Sequence, residues 1–239
     1  MRSGEIKIRS TEGPQFDCYL ATPESQQAIP AIVIASAILG VNEDIRGIAD
    51  DFASRGYMAA APDLFWRTIA GPLVRGDPRA AARGEPRLEQ LKSGERDLID
   101  VLAMLRKQPL FNGRAAVMGL CYGGPYAIVA PNRLGYDAAI ACHGSRMLDF
   151  VSELERVRQP VSIFWGDQDH AAPADVRQAY QARPERAANV DVRVFPGVRH
   201  GYMFRGNVEA FDPTAYEVSM QGALALLAQL RAPGAQSAT

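Results

Sequence analysis

Several features that would place the chain in a nucleic-acid-binding or membrane class are missing from its 239 residues. The formal net charge is only -1, so neither a nucleic acid nor an anionic membrane surface is expected as a partner. No apolar run approaches the roughly 20 residues that span a bilayer. The residues after Met1 also lack the apolar core of a signal peptide.

Cysteine is scarce as well. The three cysteines, Cys18, Cys121 and Cys142, are odd in number and lack the spacing of metal ligands. A chain of this length buries roughly 70–75% of its unfolded surface, so its core needs neither a disulfide nor a metal ion. These features together favour a reducing, cytoplasmic location.

What the sequence does contain is a regular alternation of apolar runs and amphipathic segments. Two segments, 5–10 and 16–22, predict an antiparallel pair at a sheet edge. Buried strands are predicted at 30–36, 57–61, 114–120, 137–143, 160–166 and 190–195, and helices at 43–55, 93–108, 123–132, 174–183 and 212–230. The alternation predicts an α/β fold, in which a mostly parallel, doubly wound sheet carries helices on both faces.

Between residues 64 and 92 the periodicity disappears, and three prolines interrupt an arginine-rich stretch. A connection this long inside a compact fold is usually a lid, a binding loop or a short helical excursion. We expect residues 1–231 to form a single domain in which 64–92 overhangs the site, followed by a flexible tail at 232–239.

One motif stands out at the end of the strand predicted at 114–120. There Cys121 occupies the nucleophile position of a Gly-x-nucleophile-x-Gly pattern that begins at Gly119 and ends at Gly123. This pattern sets a reactive side chain on a sharp strand-to-helix turn above the sheet. The alternative is a buried cysteine that packs as a small hydrophobe.

Residues that follow the other strands supply partners for a nucleophile, because ligands bind at the carboxyl ends of parallel strands. Asp169 and His200 come after Cys121 in the chain order of an α/β-hydrolase triad. An imidazole can take the proton of the thiol, and a carboxylate can orient the ring. Asp167 competes with Asp169 for the acid, and the one not used is expected to be a turn residue.

The remaining groups at this edge receive lesser roles. His143 and His170 are expected to be wall or loop residues, and Cys142 to be packing. An oxyanion needs two N–H donors, and the amides of Tyr122 and Ile38 are placed to supply them.

With these residues in view, the chain resembles the dienelactone hydrolases, or carboxymethylenebutenolidases, which are cysteine-dependent members of the α/β-hydrolase fold. The resemblance runs from about residue 32 to 230 and is carried by matching pieces at 33–42, 61–64, 119–124, 166–170 and 200–202. It implies a nucleophile at Cys121, a base at His200 and an orienting acid at Asp169. It also implies hydrolysis of a small carboxylic ester or lactone through a thioester, without cofactor or metal.

The chain departs from this family at one position. Family members carry a glutamate after the first parallel strand, where it helps to deprotonate the cysteine, whereas this chain has Ala37 there. The departure leaves open a catalytically weak or non-hydrolytic ligand-binding protein, and also a thiol chemistry other than ester hydrolysis. The resemblance further implies arginines that hold a substrate carboxylate and aromatic walls to the pocket; the candidates are Arg205, the lid residues Arg75, Arg79 and Arg83, and Phe65, Trp66 and Tyr122.

Overall fold

A computed structural model describes residues 1–182 and 188–231, and the tail predicted at 232–239 lies outside them. Eight strands form one sheet: β1 (Arg2–Arg9), β2 (Gln15–Thr22), β3 (Ile29–Ala35), β4 (Met58–Pro62), β5 (Phe111–Leu120), β6 (Ala138–Cys142), β7 (Val161–Gln168) and β8 (Val190–Arg199). In the same described part of the chain, six α-helices accompany the strands: α1 (Glu43–Ser54), α2 (Arg79–Arg83), α3 (Arg87–Leu105), α4 (Gly124–Arg133), α5 (Ala174–Gln181) and α6 (Pro213–Arg231).

The strand order across the sheet is β1-β2-β4-β3-β5-β6-β7-β8. Strands β1 and β2 pair antiparallel at one edge, as predicted, and β2 pairs antiparallel with β4. All the other pairs, from β4 to β8, are parallel. The carboxyl ends of β3 to β8 therefore meet along one edge of the sheet, where ligands bind in folds of this kind.

Strand β3 shows why both faces of the sheet are covered. Its seven residues are all buried, and successive side chains point to opposite faces. Ala31, Val33 and Ala35 enter the apolar cluster shared with α3, α4 and α5. Ile32 and Ile34 enter the second cluster, which is shared with α1 and α6. The predicted doubly wound α/β architecture is thus confirmed.

The largest difference from the sequence prediction lies between residues 64 and 92. This stretch contains α2, and α3 begins at Arg87, six residues before the predicted start at 93. In the first turn of α3 an apolar residue, Leu88, is 58% exposed, whereas a polar residue, Gln90, is buried beside Leu91. The spacing of apolar residues therefore does not indicate a helix there. The Leu73 amide donates to the Leu39 carbonyl at 2.8 Å, which fixes the stretch against the loop after β3.

Within residues 1–182 and 188–231, the helices are too short or too polar to cross a bilayer.

Glycine at the end of β7 permits close packing against β8. A Cβ at Gly166 would lie 1.9 Å from the Val198 carbonyl oxygen, whereas a Cβ at Gly4 would meet nothing within 4 Å. We expect Gly166→Ala to lower the free energy of unfolding by about 1–3 kcal/mol, as overpacking does. The matched control Gly4→Ala should stay within about 0.5 kcal/mol of the wild type. Urea denaturation measures both, and equal midpoints would contradict the assigned packing.

Candidate active site

Cys121 lies on the sharp turn that the motif predicts. Strand β5 ends at Leu120, a short 3₁₀ turn covers Cys121–Gly123, and α4 follows at once. The φ of Cys121 is 52°, a left-handed value that costs a side-chain-bearing residue energy. This backbone raises the thiol above the carboxyl edge of the sheet and leaves it partly exposed.

The two motif glycines are required by close backbone approach. A Cβ at Gly119 would lie 2.2 Å from the Gly123 carbonyl oxygen. A Cβ at Gly123 would lie 2.0 Å from the carbonyl oxygen of Ala35, at the end of β3. The turn is therefore packed against β3, which carries the loop with Ala37 and Ile38.

Strand register brings the acid and the histidine side by side. Gln168 and Arg199 are paired residues of β7 and β8, and Asp169 and His200 come directly after them. Asp169 Oδ1 lies 2.8 Å from His200 Nδ1, and His200 Nε2 lies 3.0 Å from Cys121 Sγ. The three side chains thus form one hydrogen-bonded chain.

The structure also separates the two competing aspartates. The Asp169 side chain is fully buried, and its Oδ1 also accepts a hydrogen bond from the Ala171 amide at 2.8 Å. Asp167 is exposed and accepts from the Gly197 amide at 2.7 Å, so it stabilises the turn within β8. Of the two, Asp169 is the carboxylate that meets His200.

The ring of His200 is held in an environment that favours its charged form. Burial opposes the charge, but the hydrogen bonds with Asp169 and Cys121 outweigh it and raise the pKa of His200 to about 10. His143 responds in the opposite direction. Burial and the neighbouring His200 lower the pKa of His143 well below 6.5, so that its ring is neutral.

The residues expected to supply the oxyanion donors belong to two segments, the 3₁₀ turn at Cys121–Gly123 and the loop after β3. Tyr122 follows Cys121 in the 3₁₀ turn, and its ring packs edge-on against Phe65 with centroids 5.1 Å apart. On the β3 side, Arg83 Nη1 donates to the Ile38 carbonyl at 3.1 Å. Ala37 is only 7% exposed and belongs to the apolar cluster beneath.

The predicted arginines and Trp66 are engaged elsewhere. Arg205 pairs with Asp51 at 2.8 Å and lies over the Tyr216 ring, beside α1. Exposed Arg79 forms an ion pair with Asp77. Arg83 is fully buried and donates to the carbonyls of Ile38 and Gly71.

Trp66, predicted to line the pocket, contacts Phe16 and Asp97 instead. Its indole ring stacks on Phe16 and donates to Asp97 at 3.1 Å. The structure brings none of these groups into hydrogen-bonding contact with the Cys121–His200–Asp169 chain.

Sequence reasoning missed Arg87, which sits at the start of α3 directly over the turn. Its guanidinium carbon lies 3.4 Å from the centre of the Tyr122 ring, and Nη2 donates to the Tyr122 carbonyl at 2.8 Å. Its Nε and Nη1 are buried and have no hydrogen-bond partner. The sequence did not single out Arg87 because residues 64–92 were all assigned to the lid, whereas Arg87 begins helix α3.

His143, predicted to be a wall or loop residue at the sheet edge, directly follows β6. Its ring is fully buried and lies edge-on to His200, with centroids 5.0 Å apart. Together with Cys121 and His200 it forms a group of donor atoms that could hold a metal ion. Cys142 is buried, as expected for packing, and burial raises its pKa to about 12.

Comparison with known proteins identifies the chain's relatives. A model described as the dienelactone hydrolase family matches residues 16–231. The chain is 29% identical to carboxymethylenebutenolidase 1 of Cupriavidus pinatubonensis, over 98% of this chain and 100% of that protein. It is 32% identical to a carboxymethylenebutenolidase of Pseudomonas sp. (strain P51), over 75% of this chain and 78% of the relative.

A solved structure supports the same fold. The crystal structure of a putative dienelactone hydrolase from Klebsiella pneumoniae superimposes with a TM-score of 0.78, at 22% identity, over 95% of this chain and 98% of that one. At this identity the likeness shows the fold alone, whereas the family match covers most of the chain. The protein is therefore a hydrolase that belongs to the dienelactone hydrolase family and has the α/β-hydrolase fold.

Proposed function

We propose that this protein hydrolyses a small carboxylic ester or lactone through a thioester at Cys121. The observation that carries the proposal is the hydrogen-bonded chain from Cys121 Sγ through His200 to Asp169, with links of 3.0 and 2.8 Å. Relatives over most of the chain are named carboxymethylenebutenolidases, which supports the ester or lactone class.

In the proposed acylation step, His200 holds the thiol proton and the Cys121 thiolate attacks the carbonyl carbon of the substrate. The amides of Tyr122 and Ile38 stabilise the oxyanion of the tetrahedral adduct. His200 then gives its proton to the leaving alkoxide oxygen, and a thioester remains on Cys121. Asp169 keeps the ring in the tautomer that this transfer requires.

In the proposed deacylation step, a water molecule loses a proton to His200 and attacks the thioester carbonyl. The second adduct collapses to the free acid and returns the proton to the Cys121–His200 pair. With Ala37 in place of the family's glutamate, His200 alone activates the thiol. This assignment favours a resting enzyme that is already reactive, rather than one that waits for a second carboxylate.

Arg87 is the arginine best placed to recognise an anionic substrate. Its two unpartnered N–H groups are buried next to Tyr122, and a buried donor without a partner is costly. A guanidinium N–H donates a charge-assisted hydrogen bond to a carboxylate oxygen, which is roughly twice as strong as a neutral one. We therefore assign the substrate a free carboxylate held by Arg87, in place of Arg205, Arg79 and Arg83.

Removal of the thiol tests the nucleophile. Cys121→Ala should lose at least about 10⁴-fold in kcat on aryl acetates and lactones, the scale on which triad members act. Cys142→Ala, which removes a buried thiol at the end of the neighbouring strand β6, should keep activity within a few-fold. Full turnover in Cys121→Ala would overturn the proposal, and would favour a different nucleophile or a ligand-binding role for this fold.

The pH dependence of alkylation tests the Cys121–His200 pair. The raised pKa of His200 means that the ring keeps its proton up to about pH 10, so we expect the alkylation rate of the wild type to change little across neutral pH. In His200→Gln the thiolate must form alone, and the rate with iodoacetamide should fall about tenfold per pH unit below the ~8.5 of a free thiol. Superimposable profiles for the two proteins would show that the pair shares no proton.

Matched substrates test Arg87. Arg87→Met should weaken kcat/KM for an ester with a free carboxylate by about 10–100-fold relative to its neutral amide analogue, since charged hydrogen bonds are worth about 1.5–3 kcal/mol. Arg79→Met, which changes an exposed lid arginine, should leave this ratio unaltered. The ratio cancels any general damage to the nucleophile turn. Equal losses on both substrates would exclude Arg87 as the carboxylate ligand.

A further inference from the structure

We propose that Cys121, His143 and His200 form a binding site for a thiophilic divalent metal ion, Zn²⁺ above all, and that the bound ion reversibly blocks the thiol. The site goes beyond ester hydrolysis, and its occupancy can be measured without any substrate. Its third ligand, His143, has no role in the hydrolytic steps described above.

Strand register places the three ligands together. Leu120 of β5 pairs with Cys142 of β6, so Cys121 and His143 follow at adjacent points on the carboxyl edge of the sheet. His200 reaches the same point from β8. The sulfur of Cys121 and one ring nitrogen from each histidine all lie within 4.8 Å of one another.

His143 supplies an independent indication of a missing ligand. Its ring is 0% exposed, and both of its nitrogens are buried without a hydrogen-bond partner. Buried polar groups are nearly always paired, and an unpaired one costs about 1–3 kcal/mol. The residue also has a left-handed φ of 40°, which a non-glycine residue rarely adopts. A phenylalanine would make the same edge-on ring contacts with Tyr202 and Phe204 without burying two unpaired nitrogens.

The donor set suits zinc. A thiolate and two neutral imidazoles are ligands that Zn²⁺ prefers, and three protein ligands leave a fourth position for water. Ideal bond lengths place the ligand atoms of a tetrahedral zinc site about 3.3–3.6 Å apart. The Cys121–His200 separation of 3.0 Å must therefore open slightly, and the separations to His143, which are within 4.8 Å, must close by at most about 1.5 Å.

Asp169 completes the arrangement from outside. Zinc-bound histidines usually donate their other ring N–H to a carboxylate, which fixes the ring and raises its basicity. Asp169 Oδ1 already holds His200 Nδ1 at 2.8 Å, so Nε2 is left to face the ion. The contact that orients the ring for proton transfer thus also orients it for metal binding.

Binding of the ion displaces one proton from the site. In the resting site Cys121 and His200 share one proton, and His143 carries a neutral ring. The hydrated ion accepts one electron pair from Cys121 Sγ and one from each imidazole, and it releases water molecules and that single proton to solvent. No covalent bond of the chain breaks, so a chelator should restore the free thiolate.

The first experiment uses Cd²⁺ and Co²⁺ as spectroscopic substitutes for Zn²⁺ on the full chain. Wild type should bind one equivalent with a thiolate-to-metal charge-transfer band in the ultraviolet. Cys121→Ala should lose the band, and His143→Phe should bind at least about 100-fold more weakly, since even an outer partner of a metal ligand contributes 10–100-fold. The matched control is His170→Gln, because the His170 ring lies 5.1 Å from that of His200 but is exposed and outside the donor group. It should bind as wild type does.

The second experiment counts ligands without relying on a variant. X-ray absorption of zinc-loaded wild type should show one sulfur and two imidazoles, and a single imidazole would overturn the assignment of His143. Equal Cd²⁺ affinity in wild type and His143→Phe would do the same. The absence of one-to-one binding in wild type would remove the site altogether.

The third experiment concerns the consequence of binding. Zn²⁺ should abolish turnover of wild type and His170→Gln, with recovery after EDTA, each measured against its own metal-free rate. His143→Phe should need at least about 100-fold more Zn²⁺ for half inhibition, the same factor as for binding. If Cys121→Ala retained hydrolytic activity, the proposed function would fail while the spectroscopic titration still decided the metal site.

Discussion

The parallel register along one edge of the sheet is the constraint on which this site depends. Backbone hydrogen bonds align Leu120 with Cys142 and Gln168 with Arg199, and the residues that follow these pairs are the cysteine, the two histidines and the aspartate of the candidate site. The distances between the side chains of the site are therefore determined by the backbone hydrogen bonds between buried strands, and not by the loops alone. The close approaches at Gly119, Gly123 and Gly166 serve this alignment, since a Cβ at any of them would push neighbouring backbone away.

The pKa of His200 depends on two opposing effects: burial lowers it, and two hydrogen bonds raise it by more. A buried imidazolium is unfavourable by itself, yet the carboxylate on Nδ1 and the sulfur on Nε2 together favour the charged ring. The adjacent His143 has no such partner and stays neutral, although its ring lies 5.0 Å away. Burial thus prevails at His143 and hydrogen bonding prevails at His200, so two histidines at one sheet edge have pKa values shifted in opposite directions.

The arginines between residues 75 and 87 show how similar side chains acquire different roles. Arg79 is exposed and paired with Asp77, whereas Arg83 is fully buried and tethers the loop after β3 through the carbonyl of Ile38. Arg87 lies over the nucleophile turn with two N–H groups unpaired. Sequence alone cannot separate these arginines, because the same residue type recurs in a stretch without a regular period.

The grouping of residues 1–231 into one domain, with 64–92 as a lid, remains a prediction.

Sequence determined the alternation of strands and helices, the position of the nucleophile turn and the chain order of Cys121, Asp169 and His200, because each is encoded in local patterns of apolar residues and glycine. The absence of a glutamate at Ala37 stays a prediction from the family resemblance. The tertiary structure alone decided that Asp169 rather than Asp167 meets His200, that Trp66 and Arg205 are engaged elsewhere, and that Arg87 and His143 face the site. These outcomes depend on strand register and on contacts between residues distant in the chain, and a pattern along the sequence does not record them.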